Sequence, residues 1–357
     1  MKKIFDGKIN RRDFLKAAGI GALGAAALGV PGIKGVSSSA APLRLKFVTH
    51  EPANSLANKA HWLWWCDRVE QLSNGAVKFD KFPGEALVKA SEMYEACRDG
   101  VVQAGDFPPA FEAGNIPLST IKELPFLYSD LNTLHAMWQK FMEAGFNDYF
   151  NSFGIHIVSD MNIDPFVFYS SKKWGPIRRI EDLKGCKVRV PGGDISLAIK
   201  AMGGIPVSIP SPEIYTAMER GTVDAVSTYE SALISFRAYE VSKYVTRANW
   251  IGPCLPVMVN LKTWKSLPKN MQGIFLQAGE DAYNNLNKEV KIFLEKTVEP
   301  TIQKAGMEVV PLPASERERM KKACAPVWDN WLAKNGATFN GLGKKLFDIV
   351  VTMVGRP

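Results

Sequence analysis

From Leu43 to Val48 the chain reads Leu-Arg-Leu-Lys-Phe-Val, the alternation of a strand with one buried face. His50-Glu51-Pro52 is a loop at its end. Asn54 or Ser55 caps a helix running to about Leu72, stopped by Asn74-Gly75. A second strand follows from Ala76 to Phe82, and Pro83-Gly84 breaks it. A helix from Lys89 to about Arg98 and a short strand at Val101–Gly105 complete a strand–helix alternation. That order predicts an α/β lobe with parallel pairing. The pattern then recurs: strands at Ile155–Ser159, Phe166–Ser170, Val188–Val190, near Val207 and at Val223–Val226, with helices through Ile199 and over Glu213–Arg220. A strand at Pro256–Asn260 returns toward the first lobe.

Beyond it, Pro268 to about Lys304 keeps a helical pattern. At 1.5 Å per residue a helix there reaches about 45 Å and bridges both lobes; the alternative is two helices broken near Pro300. An amphipathic helix over 315–335 carries Trp328 and Trp331, and Gly341–Pro357 is a terminal helix or a frayed end. Trp62 and Trp65 share one face of the first helix, which favours core packing over a stacking platform.

The chain has 357 residues, 46% hydrophobic and 22% charged, enough for two domains. Its formal charge is +8, but the first 41 residues hold much of it. Arg11-Arg12-Asp13-Phe14-Leu15-Lys16 precedes an apolar Ala17–Val30 stretch and the small residues Ser37–Ala41. This is the order of a cleavable twin-arginine export signal, giving a soluble periplasmic protein. The remaining body carries only a small positive charge and no long Lys/Arg run, which excludes a nucleic-acid binder.

Five cysteines, Cys66, Cys97, Cys186, Cys254 and Cys324, are widely spaced with no CxxC. They fit buried apolar positions better than metal ligands; one internal disulfide is open. The four histidines show no HExxH spacing, and no GxSxG is present. No cofactor, metal or catalytic residue is therefore expected. The competing classes are an exported enzyme acting on a small carboxylate and a ligand-sensing subunit for a receptor.

A resemblance enters at Arg178-Arg179-Ile180-Glu181-Asp182-Leu183-Lys184-Gly185-Cys186-Lys187-Val188-Arg189-Val190-Pro191. The chain resembles the DctP-type solute-binding proteins of tripartite ATP-independent periplasmic (TRAP) transporters. Phe82-Pro83-Gly84, Glu123-Leu124-Pro125-Phe126-Leu127, Ala201–Val207, Glu213–Asp224, Tyr239–Tyr244 and Trp264–Pro268 agree in order. The resemblance implies a two-lobed periplasmic binding protein fold with a long helix bridging both lobes. Lobe I then takes 42–163 with about 254–290, lobe II 164–253 with about 295–335, and a C-terminal segment 336–357. It also implies small and large membrane subunits as partners.

Arg189 is the candidate anchor for a small organic carboxylate. It ends a short strand before Pro191-Gly192-Gly193, where ligands of open α/β sheets bind. Its planar fork matches a carboxylate through two charge-assisted hydrogen bonds, and the glycines permit close backbone approach. The resemblance makes this position the family's carboxylate-binding arginine. A second family arginine is absent: aligned from Gly154, its place falls to Phe166. A ring in place of a cation favours a single carboxylate with an apolar or aromatic body.

The family's usual asparagine falls on Thr228 or Tyr229. Glu230 either accepts from the ligand or pairs with a nearby arginine. It is also placed to meet the cation some family members bind, though none is expected here. Asn162, Glu51 and Phe107 are further candidates from strand ends.

Overall fold

The computed structural model describes residues 41–357. Apart from Ala41, the expected export signal lies outside the described residues. Strand β1 (Leu43–Val48) buries Leu45 and Phe47 and exposes Arg44 and Lys46, as its alternation requires. The helical run that follows starts at Leu56, where Ser55 Oγ accepts the Asn58 N–H at 3.1 Å. It passes through a π turn (Asn58–Trp62) into α1 (Leu63–Leu72). Trp62 and Trp65 are fully buried, and their indole N–H groups donate to the Leu255 and Phe275 carbonyls at 3.2 and 3.1 Å.

β2 (Val77–Phe82) lies parallel to β1. After α2 (Met93–Arg98), β3 (Ala104–Asp106) takes the other flank of β1. The last of these begins later than its apolar run suggests: Val101 is 57% exposed and belongs to the preceding turn. Helices α3 (Leu131–Glu143), capped by Asp130, and α4 (Phe146–Ser152) precede β4 (Ile155–Ser159).

The second sheet starts with β5 (Phe166–Ser170). It continues through β6 (Lys187–Val190), α5 (Gly193–Ala201), β7 (Ile205–Ser208), α6 (Ile214–Glu219), β8 (Ala225–Tyr229) and β9 (Tyr244–Thr246). The chain then returns as β10 (Val257–Asn260), antiparallel to both β3 and β4. The first sheet therefore has the order β2-β1-β3-β10-β4.

The two crossing segments run side by side. Leu255 N–H donates to Met161 O and Phe166 N–H to Ile251 O, each at 2.9 Å, and Asn162 bridges Cys254.

Helix α7 (Lys269–Phe293) continues through a π turn (Leu294–Val298) into α8 (Glu299–Lys304). Pro300 does not break the run, because it sits at the start of α8 where the widened turn tolerates a missing N–H. One continuous helical run therefore spans the molecule. Its first half packs on α1 and β4, with Gly279 against the Val158 carbonyl. Its far end meets the second sheet's side, where Glu299 pairs with Arg247.

β11 (Glu308–Val310) closes a six-stranded sheet, β11-β9-β5-β8-β6-β7. Helix α9 (Ala314–Asn335) packs on α5, while Trp328 and Trp331 reach back to the Pro125 carbonyl and Thr120 Oγ1, each at 2.9 Å. The C-terminal segment is helical, α10 (Thr338–Val354), turning through left-handed residues Phe339–Gly341. All five cysteines are buried and free. Among the described residues no helix is long and apolar enough to cross a membrane.

Candidate functional site

The carboxyl ends of β1, β6 and β8 and the start of β5 converge where the two sheets face each other. They enclose a cavity of about 30 Å³. Lobe II supplies Arg189, Pro191, Ser211, Phe166, Thr228 and Tyr229. The opposite wall is His50, Pro108, Ala110, Phe111 and Glu123, with Pro253 and Leu255 from the crossing segment. A larger pocket of about 350 Å³ shares His50 and opens outward past Pro52, Tyr215, Phe236 and Arg237.

Arg189 alternates along β6 with Val188 and Val190, which are buried in the core, so its side chain takes the other face. It is 1% exposed. Its Nε donates to the Ile209 carbonyl at 2.8 Å and one terminal nitrogen donates to Ser211 Oγ at 3.0 Å. Both partners are neutral, and no carboxylate pairs with it among the described residues. Burial pulls its pKa down to about 9, which still leaves the guanidinium charged at neutral pH. Such a charge is costly unless a counter-ion reaches it.

Two further polar atoms on the cavity wall are buried without a hydrogen-bond partner: Tyr229 Oη and Glu123 Oε2. Burial, and secondarily Asp194, holds the Glu123 carboxyl well above the usual carboxylate range. His50 is fixed by Asp106, which takes its backbone N–H at 3.0 Å and meets its Nδ1 at 2.6 Å. Burial alone would lower the His50 pKa, but Asp106 raises it on balance.

The structure brings together four residues singled out from sequence: Arg189, Phe166, Thr228 and Tyr229. The other four lie elsewhere. Phe107 is fully buried in lobe I, edge-on to Tyr94 and Phe150. Asn162 sits in the crossing segment, donating to Asp160 Oδ2 at 2.6 Å. Glu230 is held by Arg247 at 2.6 Å, so of its two open roles the structure shows the arginine pair. Glu51 is fully buried and does not line the cavity; its carboxyl oxygens have no hydrogen-bond partner, and burial chiefly pushes the group up to about 7.

Sequence reasoning passed over His50, Glu123 and Ser211. His50 is the immediate neighbour of Glu51, one residue out of register in a loop whose facing no alternation fixes. Glu123 is a charged residue beside the apolar run Leu124-Pro125-Phe126-Leu127, and that incongruity is its signal in the sequence. Among the described residues no cluster of three or more His, Cys, Asp or Glu could hold a metal ion.

Two contacts join opposite lobes. Thr120 Oγ1 donates to Asp194 Oδ2 at 2.9 Å. Gly192 and Gly193 face the Ala110 carbonyl so closely that a Cβ on either would lie 3.2 or 3.4 Å from its oxygen. The glycines thus serve lobe-to-lobe approach.

Comparison with known proteins places this geometry in a family. Residues 47–335 match the model of the bacterial extracellular solute-binding proteins, family 7 (DctP). A solute-binding protein of Albidiferax ferrireducens is 28% identical over 75% of this chain and 79% of its own length. The C4-dicarboxylate-binding periplasmic protein DctP of Rhodobacter capsulatus is 26% identical over 75% of this chain and 80% of its own. A TRAP periplasmic solute-binding protein from Desulfovibrio salexigens, solved with bound orotic acid, superposes with a TM-score of 0.79 at 26% identity, covering 87% of this chain and 99% of that one. The family and these relatives are solute-binding receptors rather than enzymes, the Rhodobacter protein being named for C4-dicarboxylates. The two-lobed α/β chain described here belongs to the DctP family of TRAP transporter solute-binding proteins.

Proposed function

We propose that this protein captures a small monocarboxylate with an apolar or aromatic body in the periplasm and hands it to a TRAP membrane permease. The observation that carries the reading is Arg189: a buried, charged fork with neutral partners only, on the wall of a cavity between two lobes. A carboxylate supplies the missing counter-charge in two parallel hydrogen bonds. Phe166 and Tyr229, with ring centroids 6.2 Å apart, and Leu255 offer apolar surface to the remainder of the ligand. Among the described residues no second arginine or lysine lines that cavity, and His50 there is already paired with Asp106, which supports one carboxylate over two.

The Desulfovibrio relative's orotic acid is such a ligand, a single carboxylate on a ring. In the present closed arrangement the inner space holds about two waters, so an organic acid enters as the lobes part and is wrapped as they close. Export through the twin-arginine route fits five buried, unpaired thiols, a state a chain folded in a reducing cytoplasm would have.

A thermal-shift screen of aromatic, branched 2-oxo, hydroxy and C4-dicarboxylic acids tests the reading, followed by mass spectrometry of what co-purifies. Saturable stabilisation by monocarboxylates is the expected outcome. Stabilisation by dicarboxylates alone would replace the single-carboxylate reading, and turnover of any acid would sink the receptor role.

A further inference from the structure

We propose that Glu123 is a specificity-determining residue of this site, donating its O–H to an uncharged acceptor oxygen of the ligand, such as a 2-oxo or ring carbonyl. The inference rests on the carboxylate reading above and adds the second group that the ligand must carry. Glu123 closes the short 3-10 helix Pro117–Glu123 and lines the same cavity as Arg189, from the opposite lobe. It is 4% exposed and its Oε2 has no partner. A buried polar atom left unpaired costs stability, a cost that an apolar side chain in the same place would not carry. The carboxyl therefore has a use that is not structural.

Its charge state decides which use. Burial and the Asp194 carboxylate both disfavour ionisation, and only the Ala110 backbone opposes them. The titratable groups around Glu123 are Asp194 from α5, the Cys254 thiol, and His50, Arg189 and Tyr229 on the cavity wall. Glu123 does not pair with the arginine, so in the acid form it offers a hydrogen-bond donor to the closing cavity. A ligand carbonyl accepts that proton's hydrogen bond, whereas a methylene in its place leaves the acid unpaired. Sites built to bond a polar group reject the analogue that lacks it.

Two matched pairs of acids test this: 4-methyl-2-oxopentanoate against 4-methylpentanoate, and orotate against benzoate. Affinities are measured by calorimetry for the natural protein, Glu123→Gln and Glu123→Leu. The natural protein is expected to prefer the carbonyl-bearing member of a pair by about tenfold. Glu123→Gln, which keeps a donor and the shape, should retain the preference, and Glu123→Leu should lose it. Raising the pH should weaken the preferred acid more for the natural protein than for Glu123→Gln, in which His50 is the remaining wall group that titrates.

Ligand-free melting checks that both variants fold, and Glu123→Leu should melt no lower than the natural protein. If Glu123→Leu keeps the full preference, or the natural protein has none, Glu123 does not read the ligand. If no acid binds in the wider screen, the carboxylate reading itself falls and takes this one with it.

Discussion

Arg189 shows how a single side chain commits a cavity to a charge. Its Nε and one terminal nitrogen are spent on the Ile209 carbonyl and Ser211. These bonds hold the fork rigid without neutralising it, so the remaining N–H groups are set before the ligand arrives. Arg189→Ala is expected to weaken acid binding by about 2–5 kcal/mol, the usual result of truncating one partner of a buried charge pair. Arg189→Lys should fall in the same range, because an ammonium cannot reproduce a planar two-point contact. Calorimetry with the best acid from the screen decides, and normal binding by either variant would remove Arg189 from the site.

Arg189 was legible because a strand end, a Pro-Gly-Gly turn and a family motif coincide on it. Phe107 and Asn162 also follow or border strand ends, yet one is core and the other braces the crossing segment. Strand position alone does not say which way a loop residue points.

At the level of elements, hydrophobic period located both sheets and the long helix, and errors gathered where backbone geometry departs from it. The π turn at Leu294–Val298 is one case. Pro300 signals a break, but a turn that widens the hydrogen-bond ladder absorbs it, and nothing in the apolar spacing announces that. Gly279 is a second case. Within α7 it reads as a weak helix residue, while in the fold it is the point where helix and β4 touch: a Cβ there would lie 2.3 Å from the Val158 carbonyl. Gly279→Ala is expected to cost about 1–3 kcal/mol through overpacking, despite alanine's better helix propensity. A lower urea midpoint with an unchanged slope would show it; a stabilised variant would mean the helix shifts freely on the sheet.

Across the whole molecule, buried titratable groups make stability depend on pH in a definite direction. Glu51 and Asp164 keep their protons up to about pH 7 in the folded chain, chiefly because they are buried, but lose them near pH 4 when unfolded. The folded state then binds more protons through that window, so stability falls as pH rises across it. Burial would lower the His135 pKa, but Asp160 and Glu280 outweigh it and raise it to about 9. Its contribution is complete below about pH 6.5 and is lost as pH rises through 9. Both effects act the same way above the range in which the buried His61 and His156, lowered to about 4, favour the folded state as pH rises, so the urea midpoint should be higher at pH 7 than at pH 9. Equal midpoints would show that these groups are hydrated in solution.

The two lobes could be read from the order of elements, whereas the bridging helix rested on the family resemblance, since the order alone left two helices broken near Pro300 equally open. The lobes' closed contact could not be read there, since Thr120 and Asp194 meet across 74 positions of sequence and no local pattern records such a pair.

Gly192 and Gly193 give that contact a consequence for how the receptor is tuned. Their backbones sit against the Ala110 carbonyl with just enough slack that one added methyl would press on it without forbidding the approach. Gly192 also holds φ at +142° and Gly193 at +55°, where other residues are strained. A substitution at either position therefore strains the turn itself and adds a further cost where the turn meets Ala110. If the lobes part and shut around the acid as proposed, apparent affinity scales with the fraction of molecules able to shut, and a substitution in this turn is expected to raise the concentration at which the protein responds. On the proposed reading the preference for one acid rests with Arg189, Phe166 and Glu123, so sensitivity and selectivity can evolve separately.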